Sequence, residues 1–275
     1  MREKEKITLE YYKHNPLQEW KRLVKDPFHR LEFDTTMKFL KKHLPKNKKG
    51  LILDAGGGPG RYTIELAKMG YNLILLDLVP ENLEFAKKKI AQTGVENKVK
   101  DIVAGTVTDL AMFEPDTFDA VLCLGGVLSH IGPRKEREKA ALELVRVAKK
   151  GAPIFVSVMS KLGTLAHFPR WIDEIRNTSH FERIYSKGDD YQWHGKYYAH
   201  YFELNELKSL FGNKVVFIEE VGLEGLASQI PEIINKLAKK EPIAWENWLK
   251  MHHKLCTHPA VVELSLHFMV IARKV

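Results

Sequence analysis

The sequence predicts an α/β protein built on a doubly wound, mostly parallel sheet, and three observations predict it. Short apolar runs alternate with helical patterns from Leu51 to Val158, which is the order a parallel sheet requires. The first run, Leu51-Ile52-Leu53, is closed by Asp54 and leads into a turn with four glycines among six residues, Ala55 to Gly60. The second run, Leu73 to Leu76, ends in another acid, Asp77, which lies 17 residues beyond Gly60. A buried strand, a glycine turn and a helix form a loop that a ligand can approach closely, because glycine reaches positive φ and carries no side chain.

Ahead of this core, Tyr11, Tyr12, Leu17, Trp20 and Leu23 mark an N-terminal helical region, with Asn15 as cap, Pro16 at the first helical position and Pro27 as its end. A helix from about His29 to His43 follows, with Phe33, Met37, Leu40 and Leu44 on its apolar face. Further strands are predicted at Val99–Ala104, Phe118–Leu124 and Ala152–Val158. The helix around Ala141, Leu144, Val145 and Ala148 shows the i, i+3, i+4, i+7 spacing of a face laid on a sheet. After residue 160 the alternation breaks. Lys161 to Phe202 holds 10 of the chain's 27 aromatics in 42 residues: Phe168, Trp171, Phe181, Tyr185, Tyr191, Trp193, Tyr197, Tyr198, Tyr201 and Phe202. Such a density in a connection reads as a cap over the ligand mouth or as a small core of the cap's own. A helix near Asn205 to Phe211 stopped by Gly212, a strand Val215–Val221, a helical insertion at 223–262 and a last strand Leu266–Ala272 complete the pattern. Residues 1–275 read as one domain, with helices at 8–45 in front of it and the two insertions within it.

The composition excludes several classes. With 44% hydrophobic residues in 275, the chain is not disordered, and no apolar run has the length of a membrane span or a signal segment. Two cysteines, Cys123 and Cys256, make no disulfide framework, so the sequence predicts a soluble protein of the cytoplasm. The formal charge of +8 invites a nucleic-acid reading, but the lysine clusters at 38–49, 87–89, 149–150 and 239–240 are interleaved with Glu and lack a basic-aromatic motif, so they read as a solvated surface. His252, His253, Cys256 and His258 fall within seven residues, too close together to wrap one zinc ion.

The glycine spacing chooses between ligand classes. A dinucleotide loop needs G-x-G-x-x-G or a final Ala, but counting from Gly56 or from Gly58 places Arg61 or Thr63 at the sixth position. The pattern Asp54-x-Gly56-x-Gly58-x-Gly60 instead resembles the first motif of class I S-adenosylmethionine (SAM) dependent methyltransferases, and roughly Tyr11 to Asp119 carries the likeness. It implies a Rossmann-like, doubly wound sheet of seven strands with the last antiparallel. It also implies SAM as cofactor and S-adenosylhomocysteine as product, held by Asp54, Gly56, Gly57, Gly58, Asp77, Leu78, Thr106, Val107 and Leu124. Asp77 suits a ribose diol. Thr106 stands where the family usually has an acid for the adenine amino group; Asp109 supplies that carboxylate or caps a turn, and Val107 offers its backbone. Helices ahead of the glycine strand commonly close over the cofactor in this family, which draws attention to Tyr12 and Arg30.

The run Leu124-Gly125-Gly126-Val127-Leu128-Ser129-His130-Ile131 looks like small-molecule methyltransferases of quinone biosynthesis and of carboxylate methylation. The Asn/Asp-Pro-Pro-aromatic motif of nucleic-acid base methylases is missing, and Cys123 lies inside an apolar strand as a core residue. Methyl transfer from a sulfonium needs alignment and exclusion of water more than strong acid-base groups. For an amine or hydroxyl acceptor, His130, His200 and Tyr198 are the candidate bases, and Arg30 or Arg170 the candidate carboxylate holders. A tRNA or rRNA methylase, an NAD(P) oxidoreductase and a non-catalytic SAM-binding module are the alternatives.

Overall fold

The structure, a computed structural model, describes residues 3–191 and 198–275. Seven strands form one sheet: β1 (Leu51–Ala55), β2 (Asn72–Asp77), β3 (Val99–Ala104), β4 (Ala120–Cys123), β5 (Pro153–Met159), β6 (Val215–Gly222) and β7 (His267–Lys274), in the order β3-β2-β1-β4-β5-β7-β6. β1 to β5 pair in parallel, and β7 is antiparallel to both β5 and β6. The chain works outward from β1 to β3 and then crosses back to β4. This order switch lies between β1 and β4, and a doubly wound sheet opens a crevice there at the strands' carboxyl ends.

Helices cover both faces of the sheet, which is why the central strands are apolar on both sides; all four residues of β4 are buried. One face packs against α6 (Arg134–Val147) through Ala140, Ala141, Leu144 and Val145, and against α10 (Leu204–Ser209) through Leu204 and Leu207. The other receives α3 (Pro27–His43) through Phe33, Met37 and Leu40, α4 (Arg61–Lys68) through Ile64 and Leu66, and α5 (Pro80–Thr93) through Leu83, Ala86 and Ile90.

Two details differ from the sequence reading of the N-terminus. The helical region is divided into α1 (Glu3–Lys13) and α2 (Pro16–Arg22), and the Asn15 side chain donates back to Tyr11 O at 2.6 Å instead of capping α2. Pro27 opens α3 rather than ending what precedes it, because the Asp26 carboxylate accepts from His29 N at 3.0 Å and proline's missing N–H costs nothing in the first turn.

The aromatic segment forms α7 (Lys161–His167), α8 (Ile172–Arg176), α9 (Thr178–Lys187) and a two-residue ribbon pairing Asp189–Asp190 with Ala199–His200. Phe168, Ile184, Ala199 and Tyr201 make a core of its own, joined by Phe181. Trp193 and Tyr197 lie outside the described residues. The later insertion is α11 (Pro231–Lys240), α12 (Pro242–Leu255) and α13 (Pro259–Leu264). Ile234 of α11 meets Phe28 and Leu31 of α3, and Trp245, Trp248 and His252 stack along α12 at centroid spacings of 5.4 Å. Its histidines take separate partners: His252 bonds Thr35 Oγ1, His258 Nδ1 accepts from Ala260 N, and Cys256 Sγ donates to His253 O. Among the described residues, no helix is long and apolar enough to cross a membrane.

Candidate active site at the carboxyl ends of the sheet

The glycine turn after β1 is tied to β2 by its backbone. Gly56 N and Gly57 N both donate to Leu76 O, at 2.7 and 3.1 Å, and Gly60 N closes back on Gly57 O at 3.0 Å. Gly56 has φ +78°, and a Cβ there would lie 2.5 Å from Val127 Cγ2, so both conformation and space demand glycine. Gly58 has φ +55°, and a Cβ there would meet only Asn82 Nδ2, at 3.9 Å. It faces a cavity.

That cavity gathers the residues singled out from sequence. Asp54, Gly56, Gly57, Gly58, Asp77, Leu78, Thr106, Val107 and Leu124 all line it, with His130 beside them. Asp54 is fully buried; its Oδ2 accepts from Thr63 N at 3.1 Å and Thr63 Oγ1 at 2.6 Å, while Oδ1 has no hydrogen-bond partner among the described residues. Burial pushes its pKa up to about 6 against the pull of the Thr63 bonds. Asp77 accepts from Gly58 N at 2.8 Å through Oδ2, and from Val79 N at 2.9 Å and Asn82 Nδ2 at 3.3 Å through Oδ1. It therefore braces the glycine loop and holds the turn that leads into α5 at once, and burial raises its pKa. Thr106 exchanges a hydroxyl bond with Thr108 at 3.0 Å. Asp109 is exposed and accepts from Ala111 N, which makes it the turn cap of the two readings and takes it out of the cavity lining.

The three candidate bases separate. His130 Nδ1 donates to Tyr198 O at 2.9 Å, so in the neutral ring Nε2 is the acceptor, and it takes the Tyr12 hydroxyl at 3.0 Å. Burial drives the His130 pKa down to about 4, helped by the positive Arg22 and His267, so the ring is neutral at physiological pH. His200 does not line the cavity: its ring nitrogens face Asp189 Oδ1 at 2.9 Å and Glu206 Oε1 at 2.8 Å, and it serves as a buried cross-link. The Tyr198 hydroxyl also lies away from the cavity lining, donating to Asp189 at 2.6 Å and accepting from Arg137 at 3.2 Å. Tyr198 reaches the site only through its carbonyl on His130. Among the described residues, none from 161 to 202 lines the cavity, and 192–197 of that segment lie outside the description. The roof comes from the N-terminal helices, through Tyr12, Glu19, Arg22 and Leu23. Arg30 pairs with Asp34, Arg170 with Glu232, and neither reaches the cavity. Cys123 is fully buried, and burial raises its thiol pKa.

Sequence reasoning missed a charged chain beside the cavity. Arg22 bonds Glu32 with two nitrogens, at 2.7 and 3.3 Å, and reaches Glu19 at 3.3 Å. Glu32 lies 4.0 Å from His267 Nδ1, which is 2.6 Å from Glu224 Oε1. Burial opposes the charges of Arg22 and His267, and the carboxylates around them outweigh it, so both pKa values rise. Glu32, Glu224 and His267 offer ligand atoms within 4.8 Å of one another, but Arg22 and His267 already supply the positive charge there. The chain draws on four separate stretches of sequence, and none carries a local signal.

Comparison with known proteins agrees with this architecture. The family described as "Methyltransferase domain" matches residues 53–156. A ubiquinone biosynthesis O-methyltransferase from Colwellia psychrerythraea is 30% identical over 145 residues, 49% of this chain and 56% of the relative. Matched segments of such curated relatives span about half of their length, 43% for one from Xanthomonas euvesicatoria. Among solved structures, a SAM-dependent methyltransferase from Methanosarcina mazei superposes with a TM-score of 0.59 at 19% identity, covering 86% of this chain and 97% of its own. Geranyl diphosphate C-methyltransferase from Streptomyces coelicolor, solved with S-adenosylhomocysteine, gives 0.58 at 15% identity, with 90% and 80% covered.

Sheet order, glycine loop and sequence match define a class I methyltransferase fold. Residues 53–156 match the methyltransferase-domain family, and the fold is the one seen in solved SAM-dependent methyltransferases.

Proposed function

We propose that this chain transfers a methyl group from SAM to a small-molecule acceptor, at an oxygen or nitrogen, in the cavity at the carboxyl ends of β1 to β4. The observation that carries this reading is the convergence of both motif acids, the glycine loop, Thr106, Val107 and Leu124 on that one cavity. Its donor set also fits the cofactor. Three carboxylates, Glu19, Asp54 and Asp77, face two guanidinium groups, Arg22 and Arg61, so the lining carries one net negative charge. SAM carries an ammonium and a sulfonium against one carboxylate and is net positive; a diphosphate would be repelled. Arg22 is committed to Glu32, and Arg61 lies over the Trp20 ring at 4.0 Å and donates to Trp20 O, so neither is a free phosphate clamp.

In this reading Asp77 offers its remaining acceptor position to the ribose, and the unpartnered Asp54 Oδ1 takes a donor from the amino-acid end. The bound cofactor supplies an electrophilic methyl group on sulfur. Gly125 and Val127 leave the floor beyond Leu124 open, and the α1–α2 roof excludes water. His130 Nε2 then orients the acceptor's O–H or N–H and takes its proton as the new bond forms, in exchange for its contact with Tyr12. A hydroxyl acceptor is favoured by the curated relatives, named as O-methyltransferases of ubiquinone biosynthesis. Two buried free thiols suit a reducing compartment such as the cytoplasm. The test is calorimetry with SAM and S-adenosylhomocysteine, followed by a screen of phenolic, carboxylate and amine metabolites with radiolabelled donor. Binding with label transferred to a small molecule supports the reading, and absence of SAM binding overturns it.

A further inference from the structure

A second concave surface lies at the other end of the sheet. The connection from α3 into β1, the connection from α6 into β5 and the end of β7 enclose a cleft of about 460 Å³. Lys41, Lys42, Lys46, Lys149, Lys150 and Arg273 line it, against one carboxylate, Asp119. Asp119 pairs with Lys149 at 2.9 Å, and Lys42 reaches outside the lining to Glu219 at 2.7 Å. Among the described residues, Lys41, Lys46, Lys150 and Arg273 make no ion pair. A surplus of four positive charges thus stands in one place, half of the chain's formal +8.

The fold produces this concentration. Lys41 to Lys46 and Lys149 to Lys150 are distant in sequence, but β1 pairs with β4 and β4 with β5, so their leading loops lie side by side. Asp119 fastens them, accepting from Leu51 N at 2.9 Å as well as from Lys149. The SAM cavity is at the opposite ends of these strands, so cations here act on something other than the cofactor. Among the described residues, no Phe, Tyr or Trp lines the cleft, and the one ring there, His43, is mostly buried and tied to Glu219, so it offers little platform on which an unpaired base could stack. What it offers is charge, mostly as lysines, and the partner that charge alone recognises is a dense row of phosphates. Double-stranded nucleic acid presents about one negative charge per 1.7 Å of axis.

We propose that this cleft is a docking site for the phosphate backbone of a nucleic-acid duplex, bound without sequence preference and separate from methyl transfer. The test is fluorescence anisotropy of a short labelled RNA duplex with the full chain between about 50 and 200 mM salt. Four phosphate contacts give an expected log–log salt slope of about −3 to −4. The variant Lys41→Glu/Lys46→Glu/Lys150→Glu is expected to lose at least tenfold in duplex affinity while its calorimetric affinity for S-adenosylhomocysteine stays unchanged, which verifies its fold. The variant Lys87→Glu/Lys88→Glu/Lys100→Glu makes the same charge change elsewhere and is expected to retain most of the binding. Equal losses in the two variants, tighter binding of single strands or inorganic polyphosphate than of duplex, or no duplex binding at the lowest salt would each overturn the proposal.

Discussion

Asp77 already holds three internal donors, and a carboxylate offers about four acceptor positions. Replacing it with Ala removes both the ribose acceptor and the brace on Gly58 N, so SAM affinity is expected to fall at least tenfold by calorimetry. Asn at the same position keeps one oxygen and is expected to retain part of that affinity. Gly56→Val is expected to lose binding more completely, since it meets Val127 in a left-handed conformation. For the base, His130→Ala is expected to lower kcat by about 10² with little change in SAM affinity, and Tyr12→Phe to shift the acceptor KM more than kcat. Equal activity of His130→Ala and the parent chain would remove the base assignment. These residues differ in how well sequence disclosed them. Asp54, the glycines and Asp77 are legible because a loop that must approach its ligand imposes a short, contiguous pattern. His130 is legible only as a histidine near a strand end. Its tautomer depends on a carbonyl 68 residues away in sequence, and His200 and the Tyr198 hydroxyl are engaged by carboxylate partners that no local pattern announces.

At the scale of elements, the central strands are legible because a strand buried on both faces leaves an uninterrupted apolar run, as in Leu51 to Leu53 and Ala120 to Cys123. What covers the cavity is less so. Aromatic density points to 161–202, yet Phe168, Phe181 and Tyr201 pack into a small core of that segment, and the described lining is roofed by α1 and α2, where α2 has no buried residue. A helix with no buried residue over a cavity opens at low cost. Amide exchange across residues 9–24 is therefore expected to slow at least tenfold on addition of S-adenosylhomocysteine, with little change in α9. Exchange unchanged by ligand would mean that the roof is rigid. The pin between α2 and α3 is Arg22 on Glu32, whose carboxylate is almost fully buried. Arg22→Leu leaves that carboxylate without its main partner and is expected to destabilise the fold by about 3–5 kcal/mol in urea unfolding, whereas Arg22→Leu with Glu32→Gln recovers much of the loss.

For the whole molecule, the buried histidines set the acid limit of stability. Burial holds both His130 and His252 at about 4, whereas an unfolded histidine titrates near 6.5. Between those values the unfolded chain binds more protons than the native one, so the stability these rings contribute is complete above about pH 6.5 and is lost as pH falls toward 4. Asp54 runs the other way: raised by burial to about 6, it binds its proton in the native state first and returns some stability over the same interval. Asp77 and Glu19, also raised by burial, act with Asp54, while His167 and His253, also lowered by burial, act with His130 and His252, and the histidines carry the balance toward a loss by pH 5. Asp189, held down to about 2 by its bonds to His200 and Tyr198 against the effect of burial, extends the loss below pH 4. Thermal unfolding is thus expected to show Tm falling by about 5 °C or more between pH 7 and 5 in the absence of ligand. His252→Phe, which keeps the stack on Trp248 and removes one titrating ring, is expected to make that fall shallower. A Tm that is flat or rising toward pH 5 in the parent chain would mean that these histidines reach solvent, and with it that His130 does not enter the reaction as a neutral, water-shielded base.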